Sequence, residues 1–198
     1  MSVFTALDVT GYSQRDGEPV WVSDRGVIVS LHFFDLVPDL PASLAAVDTL
    51  RARLAHVVAA AGGGLIEAEI EHVDEVPAVR QLLKVPRPGG PGQVFVGSYI
   101  IPKATCSAVV KAQAAEGPMT GLRETVVLDQ LGSERYFQPH PYAPQLREGL
   151  PFHAADAPEW DARFPDHPLT QVRAALARIV PTVRFDAGFR ALPPYPGP

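Results

Sequence analysis

Apolar residues recur along this chain with two different periods. Between residues 42 and 61 they fall three and four apart, at Leu44, Val47, Leu50, Leu54, Val57 and Val58, which predicts an amphipathic helix. Pro38 and Pro41 precede it, and proline suits a first helical turn. Gly62, Gly63 and Gly64 end it, because glycine accepts the left-handed conformation at a helix C-terminus. From residue 65 the period shortens to two. Four consecutive strands are predicted, at residues 65–73, 76–85, 93–101 and 104–112, with the proline- and glycine-rich loop 86–92 between the middle two. A helix followed by such a meander predicts an α+β fold, with an antiparallel β-sheet packed by helices.

In the first of the four strands Glu67, Glu69 and Glu71 alternate with Ile66, Ala68, Ile70 and His72. One face is expected to be wet and the other buried. Three glutamates in a row repel one another, so their face needs basic partners if anything covers it. Pro77, near the start of the second strand, suits only an edge strand or a first position. Upstream, residues 3–9 can form a strand and residues 11–19 read as a polar turn region. Val20 to Val22 and Gly26 to Phe34 read as a hairpin. The sheet is therefore expected to have six or seven strands.

Past the meander a second helix is expected at 121–131, carrying Leu122, Val126 and Leu128. The character then changes. Prolines at 139, 141, 144, 151, 158, 165 and 168 exclude long regular elements from residues 133–168. The same segment keeps Tyr136, Phe137, Tyr142, Phe152, Trp160 and Phe164, which a disordered linker would lack. It reads as an ordered arm. A helix at 169–180 follows, with Leu169, Val172, Leu176 and Ile179 in register, and residues 190–198 read as a frayed tail. The expected organisation is a sheet domain at 1–132, with residues 133–198 (arm, helix and tail) packed on the same domain.

Composition narrows the function. A net charge of −5 with scattered basic residues argues against a nucleic-acid partner. The single cysteine, Cys106, excludes an intrachain disulfide and fits a reducing compartment. No stretch has the pattern of a signal peptide or the length of a membrane span, so a cytoplasmic protein without a membrane partner is expected. Arginine greatly outnumbers lysine, which occurs only at Lys84, Lys103 and Lys111. With abundant Ala, Gly, Pro and Val, this points to a GC-rich bacterial source.

Candidate chemistry is sparse. The glycine triplet runs from a helix into a strand, the reverse of a phosphate-binding loop. Cys106, beside Ala104, Ala108 and Val110, reads as a small buried hydrophobe, and His32, His56 and His72 read as core or edge histidines. The sharpest cluster is in the arm, where His140, Tyr142, His153, Asp156, Glu159, Asp161, Asp166 and His167 mix imidazoles, carboxylates and a phenol ring. Such a mixture could hold a metal or move protons. No two of its histidines have helical ligand spacing, however, so a structural arm with a binding surface at His140, Tyr142, His153, Asp156, Trp160, Asp166 and His167 is the stronger reading. No cofactor or catalytic residue is assigned.

The order of strand and hairpin, helix, four-strand meander and helix over residues 3–131 resembles the PsbP-like group, which includes a photosystem II extrinsic subunit, a Ran-binding import factor and the DcrB-like lipoproteins. The resemblance implies a sheet sandwiched by helices and a role in binding proteins. It carries over no site residue. The segment Phe164 to Leu169 also resembles one found in actinobacterial proteins. The expected function is a non-catalytic binding or accessory protein that engages a protein partner or another copy of itself, with a small-molecule ligand also compatible. The competing reading is a metal-dependent or acid/base enzyme using the His and Asp residues of 140–167.

Overall fold

The computed structural model describes residues 3–117 and 119–198. Its strands are β1 (Phe4–Ala6), β2 (Tyr12–Gln14), β3 (Val20–Ser23), β4 (Ile28–Phe34), β5 (Gly64–Val73), β6 (Val76–Pro86), β7 (Gln93–Pro102), β8 (Ser107–Ala115) and β9 (Arg184–Phe185). Its α-helices are α1 (Val47–Ala60), α2 (Leu122–Leu131), α3 (Ser133–Tyr136), α4 (Pro168–Ile179) and α5 (Ala187–Ala191). β2 to β8 form one antiparallel sheet in the order β2-β3-β4-β8-β7-β6-β5. β1 stands apart and pairs with β9 through Phe4 and Phe185. The fold is α+β, an antiparallel sheet packed by helices.

The four-strand meander lies where the period of two places it, with one shift. β8 begins at Ser107 rather than at residue 104, because Lys103 N–H donates to Cys106 O at 2.8 Å and closes a turn. Two other differences are local. The polar region 11–19 contains β2, an edge strand too short to show a period. Pro77 sits in β6, an interior strand, but the β6–β7 register begins at Val79, so the missing N–H lies beyond that ladder. β5 and β6 meet at a two-residue turn in which Asp74 and Glu75 both have positive φ, as a type I′ hairpin requires.

The two faces of the sheet are covered differently. On one face α4 lies across β7 and β8. Leu169, Val172, Leu176 and Ile179 are all buried there, as their spacing predicts, together with Phe95, Tyr99, Ile101, Val110 and the free Cys106. Gly97 permits the approach: a Cβ at that position would collide with Leu176 and come within 2.8 Å of Val172. On the other face α1 packs on β5 at one end of the sheet. Leu50, Leu54, Ala55 and Ala59 are its buried residues, and Leu44 is only partly buried. Val57, expected in the core, is 55% exposed. The helix starts later than expected and turns its alanines to the sheet, so Val57 falls on the uncovered flank. In the same way α2 buries Arg123 and Val127, while Leu122 is exposed.

The arm packs on the domain and ends in two 3₁₀ turns, at Ala154–Asp156 and Pro158–Arg163. Tyr136, Ala154, Ala155 and Trp160 bury themselves with Val127 of α2. The arm also seals β5, the exposed edge of the sheet. Leu150 N–H donates to Gly63 O at 2.9 Å, His140 Nε2–H to Leu65 O at 3.0 Å, and Ala68 N–H to the Tyr142 hydroxyl at 3.2 Å. Gly149 has φ +73, and any Cβ there would strike Gly63 O. An edge strand left open is a template for aggregation, and the arm removes this one. The tail is anchored rather than frayed. Ala104 N–H donates to Pro193 O at 3.0 Å and Tyr195 donates to Leu40 O at 3.2 Å.

Candidate functional site

The face carrying Glu67, Glu69 and Glu71 is not solvent-filled. It meets arginines from three elements. Arg51 of α1 pairs with Glu69, Arg80 of β6 with Glu67 and Glu71, and Arg173 of α4 with Glu67. Tyr99 Oη donates to Glu71 at 2.7 Å. Burial first, and then this carboxylate, push the phenol pKa upward. Glu71, Arg80, Tyr99 and Arg173 wall a cavity of about 510 Å³ between the sheet and α4.

Farther along the same face, beneath the arm, β6 points Lys84 at the buried pair His153 and Asp156. Lys84 and Asp156 are each only 1% exposed. The ammonium has three N–H groups and three acceptors: Asp156 Oδ1 at 2.9 Å, Asp156 Oδ2 at 2.7 Å and His153 Nε2 at 2.9 Å. Lysine only donates, so His153 is neutral with its proton on Nδ1, which faces Asp156 Oδ2 at 3.5 Å. Burial drives the His153 pKa down to about 4, with Asp156 opposing and Lys84 reinforcing the shift. Tyr136 stacks on the imidazole at 4.9 Å. Burial lowers the Lys84 pKa, while Asp156 opposes that. The cluster pins the arm to β6 and leaves no free donor on the lysine for chemistry.

Arg123 of α2, fully buried, adds a second pin. It donates to Ala155 O, Ala157 O, Asp161 and Thr170 at 2.7–2.9 Å. The guanidinium thus fixes both 3₁₀ turns of the arm and the first turn of α4.

Beside these pins lies a third group with a different character. Glu116 follows β8, Glu124 lies in the first turn of α2, and His167 caps α4. Each brings one ligand-type atom to within 4.8 Å of the other two. Glu116 is held by backbone: Oε1 accepts from Gly121 N–H and Oε2 from Gln93 N–H, both at 2.8 Å. His167 Nδ1 accepts from Leu169 N–H at 3.2 Å. Glu124 Oε2 and His167 Nε2 are buried and make no hydrogen bond. Burial raises the Glu124 pKa, and burial and then Arg123 lower that of His167 to about 3. Glu116 and His167 also line a groove of about 570 Å³ that includes Arg25, Met119, Leu122 and Phe164.

The arm residues singled out by composition are not gathered at one place. His140 and Tyr142 dress the β5 edge. His153 and Asp156 join Lys84. Trp160 lies in the small core under α2, with its indole N–H unpartnered. Asp166 is exposed and pairs with Arg25 at 3.0 Å. His167 lines the groove, with Asp166 beside it. His56 is exposed on α1, and His72 is exposed on β5, the edge strand, where an edge histidine is expected. Lys84, Glu116, Arg123 and Glu124 escaped the sequence reading, because they come from four separate segments with no shared spacing.

On the opposite face the sheet presents rows of side chains that register fixes. One runs Val20, Ser30, Lys111, Ser98, Gln81, and the next Val22, Ile28, Gln113, Val96, Leu83. α1 covers the β5 end. Farther across, Val20, Val22, Ile28, Val96 and Val109 remain partly exposed. None of the positions on this face of β3, β4, β6, β7 and β8 is acidic, although the chain carries 22 Asp and Glu residues. No helix among the described residues is long and apolar enough to cross a membrane. Comparison with protein-family models gives no match, and comparison with curated proteins gives none either.

Proposed function

We propose that this chain is a binding protein that docks a protein partner on the uncovered part of its sheet, and that the partner's contacting surface is apolar and acidic. The observation that carries this reading is the composition of that face. Its apolar side chains are partly exposed, its charged or titratable groups are Lys111 and His32, and it has no carboxylate, in a chain of net charge −5. Apolar contact supplies the affinity, and charge complementarity selects the partner. A second copy presenting the same face would set Lys111 against a face that also lacks carboxylates, so the complementarity points to a different protein. The resemblance of element order to a group of mainly protein-binding domains supports the same reading. The arm, in this account, rigidifies the scaffold and seals its other edge.

Carbodiimide coupling tests it. This reagent joins an amine to a carboxylate in direct contact. Lys84 and Lys103 are buried, which leaves Lys111 as the accessible lysine. The full chain, treated in an extract of cells that make it, is expected to give a conjugate through Lys111 to a carboxylate of another protein. Lys111→Arg, which keeps the charge but not the amine, should abolish the conjugate, and Lys111→Glu should abolish co-purification of the same protein. Conjugates confined to other sites, or formed only between copies of this chain, would overturn the reading.

A further inference from the structure

We infer that Glu116, Glu124 and His167 form a binding site for a divalent first-row transition-metal ion, with the two carboxylates and imidazole Nε2 as ligands. The geometry is the first reason. His167 Nε2 lies 3.6 Å from Glu124 Oε1, too long for a hydrogen bond. Neighbouring ligands of a tetrahedral ion with bonds of about 2.1 Å lie about 3.4 Å apart, close to the spacing that this pair already has. The second reason is the unmet demand at the site. The His167 side chain is only 8% exposed, its Nε2 has no hydrogen-bond partner, and neither has Glu124 Oε2. Elsewhere beneath the arm the buried lysine and arginine are already committed, Lys84 to Asp156 and His153, and Arg123 to Asp161 and backbone carbonyls. Among the described residues no lysine or arginine pairs with either glutamate carboxylate, and Arg87 reaches only the backbone carbonyl of Glu116. The third reason is support behind a ligand. The backbone N–H groups of Gln93 and Gly121 orient the Glu116 carboxylate, as outer hydrogen bonds do in metal centres.

The donor set selects the ion. Two carboxylates favour a hard or borderline cation and the imidazole favours a transition metal, so Zn²⁺ and Mn²⁺ fit better than Ca²⁺ or Cu⁺. The groove lined by Glu116 and His167 is the route of entry and supplies water for the remaining positions. Loading has one structural consequence. His167 Nδ1 now accepts from Leu169 N–H, so a metal at Nε2 moves the ring proton to Nδ1 and ends this helix cap.

The test is titration of the full chain with Co²⁺, followed by visible d–d absorption and competed with Zn²⁺. One equivalent is expected to saturate the signal, and the Leu169 amide resonance should shift on Zn²⁺ loading. Glu124→Gln is isosteric, and His167→Asn keeps a good helix-capping side chain, so both variants are expected to fold, and melting curves will verify it. Each should weaken binding by about tenfold or more. Asp166→Asn, next in the chain but exposed and tied to Arg25, should leave binding unchanged. Absence of saturable binding at millimolar metal would overturn the inference. So would wild-type affinity in both folded variants, which would place the ion elsewhere.

Discussion

Two buried polar clusters lie side by side under the arm, and each is built around one arm histidine. Around His153 the charges are paired: three N–H groups of Lys84 meet three acceptor atoms, two of them on Asp156, and only the ring Nδ1 lacks a hydrogen-bond partner. Around His167 two glutamates approach an imidazole with no cation between them, and two polar atoms are left without partners. The first arrangement is what a protein needs to hold a chain segment in place, since a satisfied buried ion pair is lost only at high cost. The second resembles a site that expects something to arrive. Residue types alone do not separate the two, because both contain His and carboxylate.

Breaking the charge-paired cluster should have the largest effect. Lys84→Ala leaves Asp156 buried without its countercharge and should cost about 3–5 kcal/mol in chemical denaturation. A loss below about 1 kcal/mol would show that the arm does not depend on this pin. The His153 imidazole supplies the next test. It faces Lys84, Asp156 and Tyr136, with Arg123 nearby. Its folded pKa is about 4, below the ordinary 6.5. The unfolded chain therefore takes up a proton first as pH falls, and stability should decline from about pH 6.5 towards 4, by up to about 3 kcal/mol. Denaturation midpoints across that window, repeated on His153→Gln, should show a shallower slope for the variant.

The cluster without a paired cation should respond with the opposite sign. Glu124→Gln in metal-free protein removes one of two abutting carboxylates and should leave the melting temperature equal or higher, where the Lys84 variant falls. A marked loss would mean that Glu124 acts as a structural anchor. The smallest effect is expected on the open sheet face. Lys111→Glu should change stability by no more than about 0.5 kcal/mol while abolishing partner capture, which separates the docking surface from the packing under the arm.

The period of the apolar residues was enough to find the meander, α1, α4 and the glycine that ends α1, because side chains within one element report its geometry directly. It also anticipated that three glutamates on β5 would need basic partners, which Arg51, Arg80 and Arg173 provide. It misplaced Val57, because periodicity finds a stripe but not which part of it another element covers. It did not reveal the site. Glu116, Glu124 and His167 come from a strand end, a helix start and a helix cap, and Lys84 meets an aspartate that lies far along the chain. Contacts between such distant segments leave no local period. Only the tertiary packing of the arm over the sheet decided which buried charges were paired and which were left waiting.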